Sequence, residues 1–85
     1  MATRTNISTP FALRVIQEVR NGCSNLVPGT VREVKAMCDP EYWHRLSPAE
    51  QKMAGKIVVE AVAQGLLPLV HDGLSKSFHL LYRRI

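Results

Sequence analysis

The chain of 85 residues carries 11 Lys+Arg against 7 Asp+Glu, a net charge of +4, with a hydrophobic share of 46%. That length makes one domain with a modest core needing neither disulfides nor metal, since domains of about 55–65 residues already fold alone. The composition argues against disorder, and no apolar run approaches the roughly 18 residues of a membrane span.

The longest apolar run, Leu66 to Val70, is interrupted by Pro68. Cys23 and Cys38 are the only cysteines, too few for a secreted disulfide scaffold. Met1-Ala2-Thr3-Arg4-Thr5-Asn6 lacks the apolar stretch of a signal peptide. A reduced, cytoplasmic protein is expected. Charge is uneven along the chain: residues 1–43 hold five basic and four acidic residues, whereas residues 44–85 hold six and three, with all three histidines. A basic C-terminal half suits a polyanionic partner, and it also serves simple solubility.

Residues 1–8 read as a flexible polar arm and residues 9–85 as one domain. Thr9 is placed to cap a helix whose first position is Pro10, where a missing N–H costs nothing. Phe11, Ala12, Val15, Ile16 and Val19 then recur at helical spacing, with Arg14 and Glu18 paired on the wet side. Asn21-Gly22 supplies a stop. After a connector in which Asn25-Leu26-Val27 suits a brief strand, Thr30-Val31-Arg32-Glu33 has the spacing of a capping box and predicts a second helix. Val31, Val34, Met37 and Cys38 share its inner face, and Asp39-Pro40 ends it.

Ser47-Pro48-Ala49-Glu50 is a second capping box. Met53, Ala54, Ile57, Val58, Ala61 and Val62 form the buried face of the longest helix, closed by Gly65. The remainder is β-like. Leu66–Val70 and Phe78–Tyr82 flank a loop with the turn signal Asp72-Gly73, and Phe78, Leu80 and Tyr82 alternate onto one face expected to pack on the helices. Pro68 confines its strand to an edge or a bulge. The fold class is α+β, a three-helix core followed by a C-terminal β-hairpin.

This order, with Thr30-Val31-Arg32-Glu33-Val34 and the run Val58 to Leu67, resembles the winged helix-turn-helix superfamily. Trp43, Leu46-Ser47, Glu50, Gly55, Gly65, Leu67-Pro68 and Tyr82 also resemble small uncharacterised bacterial and phage winged-helix domains. The resemblance implies a DNA-binding transcriptional regulator, of phage, plasmid or similar origin, acting on double-stranded DNA as a homodimer because one such domain covers few base pairs. Two features depart from the pattern. The connection from Asp39 to Leu46 is longer than in a compact helix-turn-helix and holds Tyr42 and Trp43, expected to plug the core. The outer side of the third helix is small and apolar at Gly55, Val59 and Ala63.

Carried onto this sequence, the family geometry makes Gln51, Lys52 and Lys56 the groove-facing side chains. Glutamine can bond adenine, and lysine can bond guanine or phosphate. Ser75, Lys76 and Ser77 at the hairpin tip would donate to phosphate oxygens, and His44 and Arg45 would extend the footprint. Arg83-Arg84 reads as tail solvation. The competing reading is a protein-interaction module using Gly55, Val59 and Ala63 as its contact line. No phosphate loop, nucleophile elbow, paired carboxylates or metal-ligand spacing is present, so an enzyme, a cofactor, a metal and a small-molecule substrate are not expected.

Overall fold

The computed structural model describes residues 5–85. Residues 1–4 of the expected arm lie outside the described residues, and Ile7 packs against the core. The first helix, α1 (Pro10–Ser24), starts as its sequence dictates, with the Ala12 N–H donating to Thr9 Oγ1 at 3.1 Å. It does not stop at Asn21-Gly22 but runs on to a cap at Asn25. Gly22 is there for space. A Cβ at that position would lie 1.9 Å from the Met37 carbonyl oxygen, so only glycine lets the next segment's backbone approach this closely.

The capping box expected at Thr30–Glu33 does not form. Val31–Glu33 is a strand, β1, and helix α2 (Val34–Met37) is a single turn begun at Glu33 without a side-chain cap. Thr30 spends its hydroxyl on the Val27 carbonyl, at 2.6 Å. The strand also lies later in the chain than the segment Asn25–Val27 expected to be extended. Asp39 does more than end a helix. Its carboxylate accepts from the Glu41 and Tyr42 N–H groups and starts α3 (Pro40–Arg45), a helix within the long connection. Tyr42 and Trp43, both half-buried, pack on the core from it as expected.

The capping box at Ser47–Glu50 is fully made: the Glu50 N–H donates to Ser47 Oγ and the Ser47 N–H to Glu50 Oε1. It opens α4 (Pro48–Ala63), which buries Ala54, Ile57, Val58 and Ala61 while Met53 stays exposed. Gly65, at φ +74°, turns the chain out of the helix.

Strands β2 (Leu69–Leu74) and β3 (Leu80–Arg84) complete an antiparallel sheet of order β1-β3-β2. The central strand pairs Val31 with Arg83 and Glu33 with Leu81 on one side, and Leu69 with Arg84 and His71 with Tyr82 on the other. Asp72-Gly73 is not the hairpin turn; it is a bulge inside β2, with Gly73 at φ +89°. Tyr82 is buried and Leu80 packs on the core, but Phe78 precedes β3 and is 82% exposed. Arg84 is no solvated tail. Its guanidinium donates to the Cys23 carbonyl at 3.1 Å, tying the last strand to the end of α1. The result is an α+β fold of four helices and a three-stranded antiparallel sheet, whose core joins one face each of α1 and α4 to α2, Leu67, Leu69 and Tyr82. Among the described residues no helix is long and apolar enough to cross a membrane.

Candidate nucleic-acid interface

The N-terminal half of α4 forms one wall of a groove of about 510 Å³. Gln51, Lys52 and Gly55 come from α4, Trp43 and His44 from α3, Lys35 from α2, and Glu33, His79 and Leu80 from the sheet side. The floor is apolar, with Trp43 and Leu80 resting on the core behind it. Among the described residues the rim carries Lys35, His44, Lys52 and His79 and one carboxylate, Glu33, which His79 Nδ1 engages at 2.6 Å. That contact joins the approach to β3 to the last residue of β1. An anion entering the groove therefore meets the Lys35 and Lys52 ammonium groups, while the start of α4 is already capped by Ser47 and carries the Glu50 carboxylate, which offsets part of its positive end.

The residues expected to touch DNA do not all share this groove. Lys52 does. Gln51 borders it, but its Nε2 donates to the Trp43 carbonyl at 3.2 Å, so the side chain braces the α3–α4 corner and is not free to read a base. Lys56 lines a different groove, with Met53 of α4 and Thr9 and Phe11 at the start of α1. Arg45 is exposed beside Glu41, at 3.9 Å, a surface pair of little energetic weight.

At the hairpin tip Ser75 is structural. Its Oγ accepts from the N–H groups of Ser77 and His79, and its own N–H donates to the His79 carbonyl. Lys76 and Ser77 are exposed. Lys35, Glu33 and His79 also line the groove, although none is an expected contact residue and Glu33 was expected in a capping box. Lys35 was legible as the polar residue between Val34 and Met37, but the partnership of Glu33 with a residue 46 positions away was not.

Gly55 faces open space, with nothing within 4 Å of where its Cβ would stand. Val59 is 46% exposed and Ala63 is exposed. Lys52, Lys56, Val59 and Ala63 follow one another along the outward side of α4, all exposed at helical spacing. Of the two contact surfaces expected from sequence, the α4 lysines of one and Val59 and Ala63 of the other thus share one face of one helix, cationic in its first half and apolar in its second, while Arg45 and Ser75–Ser77 lie on other elements.

Both cysteines are buried and free. Cys23 Sγ lies 3.9 Å from Met37 Sδ. Burial, chiefly, pushes the Cys38 thiol up to about 12, with Glu18 and Cys23 adding to it. Burial also raises Cys23, opposed by the Arg84 guanidinium. Neither thiol is poised as a nucleophile. Comparisons with protein-family models, curated proteins and solved structures find no match to this chain.

Proposed function

We propose that the chain is a winged helix-turn-helix protein that binds double-stranded DNA and regulates transcription in the cytoplasm of a bacterium or on a phage or plasmid. In this reading α1, α2 and α4 are the three helices of the family pattern. α3 is an insertion between the second and third, and β2 and β3 with their connecting loop are the wing. The antiparallel order β1-β3-β2 supports it, because the central strand is then the one that returns from the wing.

The observation that carries the reading is the groove beside the start of α4, where Lys35 and Lys52 are exposed and, among the described residues, the one lining carboxylate, Glu33, is engaged by His79. Lysines of this kind anchor phosphates and set orientation, without reading sequence themselves. With Gln51 bonded to Trp43, the contacts from this part of α4 are predominantly to the backbone. A homodimer belongs to the proposal, since one domain of this size spans few base pairs.

A salt titration with a duplex of about 20 base pairs tests it. Binding should be measurable near 50 mM salt, and its logarithm should fall linearly with log salt, by about 0.9 per phosphate contact. Lys35→Gln and Lys52→Gln should each lower that slope by about one contact while the fold survives, because both side chains are exposed. No binding at low salt, or a double variant that binds like the parent, contradicts the proposal.

The alternative, a winged helix that captures a protein partner or its own copy, is favoured by one observation. Val59, Ala63 and Leu66 leave apolar surface exposed at the C-terminal end of α4. A Val59→Glu variant that loses self-association while keeping DNA binding separates the two surfaces; one that loses neither removes the apolar half from consideration.

A further inference from the structure

The loop between β2 and β3 is built to display one side chain. Ser75 and His79 close it through the Ser75 N–H to His79 carbonyl bond at 2.8 Å, leaving Lys76, Ser77 and Phe78 as a three-residue loop. The Phe78 N–H turns back to the Ser75 carbonyl at 3.0 Å. Loops of this length put their third residue in the left-handed region, where glycine is the usual occupant. Here it is Phe78, at φ +63°. An aromatic L-residue is strained in that conformation. Its ring recovers little by packing, because Phe78 is the most exposed of the large apolar residues among those described. Folding alone would be served better by glycine.

Charge indicates what the ring meets. Lys76 lies two residues before it and residues 75–79 contain no carboxylate, while the ring of His79 on its other side is engaged by Glu33. The base of the loop is fixed by the Glu33–His79 contact, so the tip is a braced projection. Apolar side chains projecting beside cations can enter the minor groove of a duplex and partly unstack a base step, while the cations hold the phosphates on either side. We infer that Phe78 is such a wedge: the loop between β2 and β3 inserts its ring at a base step of bound duplex DNA, with Lys76 on the adjoining backbone, and kinks the helix there. The inference rests on the duplex-DNA reading and adds to it a deformation of the DNA that groove lysines alone would not produce.

The test uses the full chain and short duplexes carrying 2-aminopurine at successive pyrimidine–purine steps, the steps most easily unstacked. A companion duplex labelled at both ends reports bending by energy transfer. The parent protein should raise the 2-aminopurine signal by about twofold or more at one step and shorten the end-to-end distance. Phe78→Gly keeps the loop conformation and removes only the ring. At saturating protein it should lose both signals, and Phe78→Trp should restore them. Binding without unstacking or bending by the parent overturns the wedge and leaves the groove intact. Equal signals from Phe78→Gly also overturn it. An absence of any DNA binding removes both readings. If the parent instead sediments with phosphatidylserine vesicles and Phe78→Gly does not, the ring belongs to a lipid surface and the inference is wrong.

Discussion

Thr30-Val31-Arg32-Glu33 and Ser47-Pro48-Ala49-Glu50 share one local pattern and meet opposite fates. At Ser47 both reciprocal bonds form and a 16-residue helix follows. At Thr30 neither forms, and the three residues after it join a sheet. Proline at the second position of one box favours a helix, whereas the other box offers β-branched Val31. The larger difference is long-range. Val31–Glu33 pairs with β3, and Arg84 donates its N–H to the Thr30 carbonyl at 2.8 Å. Local capping stabilises by about 1 kcal/mol, so a strand partner and its side-chain contacts can outweigh it.

If α2 is held by packing while α4 is held by its cap as well, perturbing the two should give effects of different size. The largest is expected at Gly22, which lets α1 touch the Met37 backbone at the end of α2. Gly22→Ala should cost about 3 kcal/mol or more, read as a lowered urea midpoint, because backbone and not a flexible side chain fills the space. An effect below 1 kcal/mol would mean that α2 is not pinned there.

Alkaline pH probes the same helix end through Cys38. Its thiol ionises near 9.0 when unfolded and near 12 when folded, so its contribution is complete below pH 9 and lost as pH rises toward 12. Stability should therefore decline across that window, and less so in Cys38→Ala. Tyr82, raised in the same direction by burial, adds to the decline above pH 10.

Ser47→Ala should then cost about 1 kcal/mol, the usual value of a helix cap. Thr30→Ala should cost about half that or less, since the hydroxyl bonds one carbonyl and caps nothing. Equal losses in denaturant titrations would erase the distinction. The smallest change is expected at Tyr42, whose buried hydroxyl has no hydrogen-bond partner among the described residues. Tyr42→Phe should be neutral or slightly stabilising, in contrast to removal of a satisfied group.

Much of the helical half was legible because its signals are local: Thr9 with Pro10, Ser47 with Glu50, and the apolar spacing of α1 and α4 each lie within a few residues. Three misreadings have one physical source. Gly22, Thr30 and Asp72-Gly73 carry residue types suited to a stop, a cap and a turn, and tertiary contacts use them as a close approach, a strand entry and a bulge. Phe78 was misassigned because period-two alternation with Leu80 and Tyr82 does not show where a hairpin closes. Of the candidate interface, Lys52 was legible as an exposed cation on a secure helix. Lys35 was legible in the same way, as the polar residue between Val34 and Met37, but the Glu33–His79 contact was not, since β1 must first pair with β3 before those two residues become neighbours.

The most direct test of the groove as a DNA interface is an amide chemical-shift titration of the labelled protein with a short duplex at low salt. The account predicts perturbations concentrated at residues 33–35, 43–44, 48–55 and 76–80, fading together as salt is raised. Shifts confined to α1 and the end of α4, with those segments silent, would contradict it.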